Sequence, residues 1–124
     1  MNMSYSYKPV FILSFLEHMD RDGCARIEDI VDEFSAFYEE RIQNGLPAEK
    51  KKCIFTKGNY SQKDVEKLIL SMPFKRFEDM SFMHHARHLG VIQLDRQIVK
   101  RLTKEDTENL RSYCEAAIRK YFKE

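Results

Sequence analysis

Apolar residues recur every three or four positions along most of the chain, which is the spacing of one face of an α-helix. The first such stretch begins near Pro9 and is apolar nearly all round, with Val10, Phe11, Ile12, Leu13, Phe15, Leu16 and Met19. A helix without a polar side has to be enclosed by other elements, so we expect it to be the buried centre of the fold. The residues before it, Met1 to Ser6, are expected to form a loose leader.

A short strand and a second helix are predicted by the next part of the pattern. Asp20 to Gly23 has turn composition, and Cys24 to Ile27 is long enough for one strand. Helical spacing then runs from Ile27 to the stop signal Asn44-Gly45. The opposite face of this helix carries Glu28, Asp29, Asp32, Glu33, Glu39 and Glu40. Because these carboxylates would repel a phosphate backbone, the face is expected to point away from any nucleic acid.

The stretch that begins at Ser61 predicts a third helix. Ser61 and Asp64 have the spacing of a capping box, in which each side chain bonds the other residue's backbone amide. The apolar face behind this cap consists of Val65, Leu68, Ile69 and Met72. Pro73 ends the helix or kinks it, since proline cannot donate the backbone hydrogen bond that continues a helix.

A change of period after this helix predicts a β-hairpin. Two short runs, Phe82 to His85 and Val91 to Leu94, are separated by a polar connector that ends in Gly90. The strand predicted at Cys24 to Ile27 is expected to pair with this hairpin. The chain therefore belongs to a mainly α fold with a small β-hairpin, of the α+β class.

Two more helices are predicted beyond the hairpin. Asp95 can cap a short helix through Leu102, and Thr103 with Asp106 has the spacing of a second capping box. The long helix that follows has apolar residues at helical spacing, namely Leu110, Cys114, Ala117, Ile118, Tyr121 and Phe122. Either this helix packs against the core, or it docks a protein partner or a second copy of the chain.

Residues 46–60 form a long connection between the second and third helices. Connections of this length in a compact domain are often functional or mobile. This one is the most basic part of the chain, with Lys50, Lys51, Lys52 and Lys57. Such lysines are suited to phosphate contacts that do not read bases. For each lysine taken singly, a position in a solvated loop that Phe55 holds to the core is slightly favoured.

Composition limits the class of protein. The 124 residues are 43% hydrophobic and 33% charged, which is typical of one soluble globular domain. The longest apolar runs are too short to cross a membrane, and the start of the chain lacks a signal-peptide pattern. Cys24, Cys53 and Cys114 are scattered without ligand spacing, so we expect reduced thiols in a cytoplasmic protein.

Charge is unevenly distributed although the net charge is only +1. Residues 17–40 contain nine acidic and two basic side chains, whereas residues 47–76 contain eight basic and three acidic ones. Residues 84–101 add four basic side chains against one acidic side chain, besides three histidines. The third helix and the hairpin are therefore on the positive side of the chain.

No complete catalytic or metal-binding pattern is present in the sequence. His84 and His85 are adjacent in a predicted strand, so they point to opposite faces and are poorly placed to share one metal ion. Glu49 and Lys51 have the E-x-K spacing of many nucleases, but no acidic residue on a preceding strand accompanies them. Cys114 lies on an apolar stripe, which favours burial over nucleophilic chemistry. We therefore predict a protein that is not an enzyme and needs no metal or cofactor.

The order helix, strand, helix, helix, hairpin resembles the winged helix-turn-helix family. The resemblance covers about Tyr7 to Leu94, with residues 95–124 as a helical extension of the same single domain. It implies duplex DNA binding, with the third helix in the major groove and the hairpin wing on the adjacent backbone. Together with the connection, it predicts nucleic-acid contacts at Lys50, Lys51, Lys52, Lys57, Ser61, Gln62, Lys63, Lys67, His84, His85, Arg87 and His88.

Three stretches also resemble a small accessory module of bacterial restriction endonucleases and helicase-like defence proteins. They read YKPVFILSFLEHMD, FYEERIQNGLP and MPFKRFEDMSF. This resemblance implies that the domain guides or regulates an enzyme without being one. The alternative is a protein-interaction adaptor that docks a partner, or forms a dimer, through the acidic helix or the last helix without binding nucleic acid.

Overall fold

The computed structural model describes residues 5–123. Its described part is mainly helical with a small antiparallel sheet, which confirms the predicted α+β class. No helix within this range is long and apolar enough to cross a membrane. In chain order the elements are α1 (Tyr7–His18), β1 (Cys24–Arg26), α2 (Ile27–Gln43), α3 (Ile54–Lys57), α4 (Gln62–Ser71), α5 (Pro73–Asp79), β2 (Met83–Ala86), β3 (Val91–Leu94), α6 (Arg96–Arg101) and α7 (Lys104–Phe122).

Helix α1 is the centre of the core, as its uniformly apolar sequence predicts. Phe11 is fully buried, and its ring packs against the rings of Phe74 and Phe77 from α5 at centroid distances of 6.4 and 6.0 Å. Helices α2 and α7 pack against α1 as well. Because α7 contributes the buried side chains Cys114 and Ile118 to this core, the C-terminal helix covers part of α1.

The sheet has the strand order β1-β3-β2, so β3 is central and antiparallel to both neighbours. Ala25 of β1 lies opposite the fully buried Ile92 of β3, which confirms the pairing predicted between the early strand and the hairpin. Strand β2 begins one residue later than predicted. The reason is that the Phe82 amide donates to the Phe77 carbonyl at 2.9 Å and closes the turn after α5.

Ser6 and parts of the connection between α2 and α4 are packed against the core. Within the predicted leader, residues 1–4 lie outside the described part of the chain, but Ser6 is fully buried. The connection from Leu46 to Tyr60 contains the one-turn helix α3 and buries four side chains, namely Ala48, Glu49, Cys53 and Phe55. The expectation of a loose leader is therefore wrong for Ser6, and the connection is held to the core at these four side chains.

Candidate nucleic-acid interface

Helix α4 has one buried face and one exposed face. Its N-terminus carries the predicted capping box: the Asp64 amide donates to Ser61 Oγ at 3.2 Å, and the Ser61 amide donates to Asp64 Oδ2 at 2.8 Å. Val65 and Ile69 are fully buried and hold the helix on the core. Since they occupy a single stripe, the opposite side of α4 is available to a partner.

Two lysines one turn apart occupy the exposed side of α4. Lys63 and Lys67 are exposed and form no ion pair within residues 5–123. They share a shallow open groove with Asp64, Glu66, Leu70 and Ser71. The two ammonium groups can contact phosphates, while the neighbouring carboxylates weaken the positive field around them.

Ser61 and Gln62, which we predicted as nucleic-acid contacts, are already used by the fold. The Ser61 hydroxyl accepts the capping hydrogen bond, and Gln62 Nε2 donates to Asp32 Oδ1 of α2 at 2.6 Å. These bonds fix the orientation of both side chains, which leaves fewer of their hydrogen-bonding groups free for a ligand. Their observed role is to set the start of α4 against α2.

The hairpin turn presents Arg87 and His88 to solvent. It is a 3-10 turn, Arg87–Leu89, which ends at Gly90 with a φ of 65°. Leu89 at its tip is 67% exposed. The turn between β2 and β3 is therefore short and presents only a few side chains to a partner.

His84 and His85 differ in their surroundings, as expected for neighbours in a strand. His84 is exposed, whereas His85 is half-buried and its ring packs edge-on against Phe74 of α5 at 6.1 Å. Burial, and then the positive charge of Arg87, lower the pKa of His85 below its usual value. The position of His85 against α5 indicates a packing role, so Arg87, His88 and His84 are the wing side chains best placed for a ligand.

Two lysines of the connection, Lys50 and Lys51, contact different elements from those that surround α4. The Lys50 ammonium is 4.7 Å from the ring centroid of Tyr121 near the end of α7, and the Lys51 ammonium is 5.2 Å from that of Tyr5 before α1. Helix α4, in contrast, packs on α2 and α5. Lys52 and Lys57 are exposed. These contacts place Lys50 and Lys51 beside other elements than Lys63 and Lys67, and the pair on α4 is the better-defined group.

The acidic face of α2 makes contacts within the domain. Glu33 bonds His18 of α1 at 3.1 Å, and Asp32 accepts the hydrogen bond from Gln62. The Tyr60 hydroxyl donates to Glu39, and Glu28 pairs with Arg26. Several of these carboxylates therefore fasten neighbouring segments to α2, a role that the sequence pattern did not indicate.

One polar cluster was missed by reasoning from the sequence. Glu49 is only 5% exposed and is bonded by Ser6 and Tyr121, which lie far from it in the sequence. The E-x-K spacing drew attention to Glu49 but suggested a different chemistry. In the described range, no group of three or more His, Cys, Asp or Glu side chains is arranged to hold a metal ion.

No family model, curated protein or solved structure matches the chain. The class that the fold defines is a mainly helical α+β domain with a three-stranded antiparallel sheet. Its function is accordingly inferred from the exposed side of α4, the turn between β2 and β3, and the charges around them.

Proposed function

We propose that this domain is a winged-helix module that binds duplex DNA mainly through phosphate contacts. The observation that carries the proposal is the exposed Lys63 and Lys67 pair on α4, the helix that precedes the hairpin with only α5 between them. The β1-β3-β2 strand order supports it, because a third strand beside the hairpin is the arrangement that the winged-helix resemblance implies. In such modules the helix enters the major groove and the wing contacts the adjacent backbone.

Phosphate contact suits this surface better than base reading. Lysine is a point charge on a flexible stem, whereas arginine presents a rigid planar fork of donors that suits recognition of a base edge. Ser61 and Gln62 are held in contacts within the fold, and Glu66 would repel a closely approaching strand. On a short duplex that reaches only Lys63, Lys67 and Arg87, about three phosphate contacts are made, and affinity is expected to fall roughly 40-fold between about 50 and 200 mM salt.

A fluorescence-anisotropy titration of duplex DNA at two salt concentrations tests this proposal. The variant Lys63→Ala/Lys67→Ala/Arg87→Ala is expected to bind much more weakly and to lower the salt slope by about 3. A matched control, Lys104→Ala/Arg119→Ala/Lys120→Ala, removes the same charge from exposed positions of α7 and should bind like the parent chain. Unchanged affinity in the first variant, or equal losses in both, would refute the interface.

The connection lysines are proposed to contact phosphates farther along the duplex. Lys50 lies beside the end of α7, and Lys51 lies beside Tyr5 just before α1. Helix α4 packs on α2 and α5 instead. Replacing Lys50, Lys51 and Lys52 with alanine should therefore weaken binding to a duplex of about three helical turns more than to one of about one turn. An equal effect on both lengths would place these lysines next to α4 instead.

We further propose an accessory or regulatory role in the cytoplasm, beside an enzyme of the restriction or helicase type. The resemblance of three sequence stretches to such modules supports the role. The free thiols Cys24, Cys53 and Cys114 support a reducing compartment. Co-purification with a nuclease or helicase encoded nearby, and a change in its activity when this domain is removed, would test the proposal.

A protein-interaction adaptor is the second candidate function. It is favoured by exposed large apolar side chains, in particular Met80 after α5 and Tyr113 on α7, which are 57% and 51% exposed. Light scattering over a range of concentrations tests it, because a dimer through α7 should dissociate in a Tyr113→Ser variant. A monomer at all concentrations that also binds DNA would exclude self-association as the function.

A further inference from the structure

Glu49 is a buried carboxylate surrounded by hydrogen-bond donors. The amide and hydroxyl of Ser6 donate to its Oε2 at 2.8 and 2.6 Å. The Lys50 amide donates to its Oε1 at 2.8 Å, and the Tyr121 hydroxyl donates to the same oxygen. A carboxylate removed from water is costly unless such donors replace its hydration, so these four bonds stabilise its position.

The hydrogen bonds around Glu49 extend to α2. Because the Ser6 hydroxyl gives its proton to Glu49, its contact with the Tyr38 hydroxyl at 2.7 Å requires Tyr38 to be the donor. Tyr38 is fully buried and stacks on Phe55 of α3 at 4.7 Å. The carboxylate is therefore linked to the start of α1, to α2 and to the end of α7.

The lysines that follow Glu49 lie against the same two ends of the described chain. Lys50 lies over the ring of Tyr121, and Lys51 lies over the ring of Tyr5. On the other side of Glu49, the Pro47 carbonyl accepts a hydrogen bond from Arg41 Nε at 2.8 Å, and the Arg41 guanidinium packs on the ring of Phe122 at 3.5 Å. Lys50 therefore contacts the last turn of α7 directly, and Pro47 is joined to it through Arg41.

We infer that Glu49 is a latch between the last turn of α7 and the basic segment Lys50–Lys52, so that loosening either one frees the other. The Lys50 amide and the Tyr121 hydroxyl both donate to Oε1 of Glu49, and the Lys50 ammonium also lies over the Tyr121 ring. A partner that binds the end of α7 and displaces Tyr121 would thereby make residues Lys50–Lys52 more mobile. An anion that binds the Lys50 ammonium and separates it from the Tyr121 ring would make the last turn of α7 more mobile. This coupling stands whether or not the domain binds nucleic acid.

Hydrogen exchange measured by mass spectrometry on the full chain tests the latch. Tyr121→Phe removes the hydroxyl but keeps the ring that Lys50 covers. We expect exchange in residues 47–53, and trypsin cleavage after Lys50, Lys51 and Lys52, to become on the order of tenfold faster, as for the loss of one bond to a charged group. In the reverse direction, Glu49→Gln should speed exchange in residues 118–122 of α7.

Tyr60→Phe is the matched control, because it removes a tyrosine hydroxyl that joins the far end of the connection to a different carboxylate, Glu39 of α2. It should speed cleavage after Lys57 and leave residues 50–52 unchanged. Exchange in α4 should stay at its parent rate in every variant, which separates local release from general destabilisation. If Tyr121→Phe loosens α7 alone, the latch is refuted. That single variant decides the matter even if Glu49→Gln prevents folding.

Discussion

Gly23 sets how closely the turn before β1 approaches α6. Its φ is +80°, in the region that side chains disfavour, and its carbonyl accepts a hydrogen bond from the Leu94 amide at 2.7 Å. A Cβ atom at this position would lie 2.4 Å from Val99 Cγ2. Both the backbone conformation and the absence of a side chain are therefore required at this one residue.

Replacing Gly23 with alanine is expected to destabilise the domain by about 2–4 kcal/mol, from strained backbone and from the clash with Val99. Gly45→Ala is the matched control. Gly45 also has a positive φ, of 76°, but nothing lies within 4 Å of the added carbon. Gly45→Ala should therefore lower the free energy of unfolding by only about 1–2 kcal/mol. Urea unfolding of both variants measures the difference, and equal losses would show that Val99 yields without cost.

Four tyrosines retain their protons to unusually high pH. Burial is the main cause that raises the pKa of Tyr7, Tyr38, Tyr60 and Tyr121. For Tyr60 burial, and then the hydrogen bond to Glu39, raise the pKa to about 12. In the unfolded chain these groups ionise near pH 10. Their neutral hydroxyls therefore contribute stability that is complete below about pH 10 and is lost as pH rises through the folded-state values.

We predict that the free energy of unfolding falls steadily above about pH 10. Urea unfolding between about pH 8 and pH 11, followed by circular dichroism, measures it. Ultraviolet titration should show a phenol ionising near pH 12 that is missing in Tyr60→Phe. Constant stability across this range would mean that these hydroxyls are as accessible in the folded chain as in the unfolded one.

At the scale of elements, caps and periodicity predicted most helices because both are local. The capping boxes at Ser61 and Thr103 are present as predicted, and α4 ends at Ser71 because Pro73 opens a new helix. The one-turn helix α3 was missed because four residues show no period. It exists because Phe55 is held in the core between Phe34, Tyr38 and Tyr60.

The cap of α7 permits a direct test at this scale. The Asp106 amide donates to Thr103 Oγ1 at 3.0 Å, and the Thr103 amide donates to Asp106 Oδ2 at 3.0 Å. Thr103→Ala should lower the free energy of unfolding by about 1 kcal/mol, whereas Thr103→Ser should keep most of it because the hydroxyl remains. Urea unfolding distinguishes the two. A similar loss in both variants would attribute the effect to the methyl group of threonine.

At the scale of the whole molecule, α7 completes the enclosure of α1. The apolar sequence of α1 demands cover on every side, and α2, α5 and α7 supply it. Cys114 and Ile118 bring apolar side chains from α7 into that core. Residues 95–124 were predicted as a helical extension of residues 7–94. Helix α7 forms part of the same hydrophobic core as α1.

Removing residues 103–124 is therefore expected to abolish cooperative unfolding, because the side of α1 that α7 covers would face water. Near-ultraviolet circular dichroism during urea unfolding is the measurement. Glu115→Ala, at an exposed position of α7, serves as the control and should unfold cooperatively. A truncated chain that still unfolds in one sharp transition would show that residues 5–102 form a complete core.

The sequence by itself determined the type and order of the main elements, because hydrophobic period, caps and turn residues act over a few positions. Only the tertiary structure decided where the polar groups of the candidate sites lie. Glu49 meets Ser6 and Tyr121 across 43 and 72 positions of the chain, and Gln62 meets Asp32 across 30. No local pattern encodes such pairings, since they follow from how the helices pack. This is the physical reason why the sequence indicated basic and acidic segments but not which of their side chains the fold itself uses.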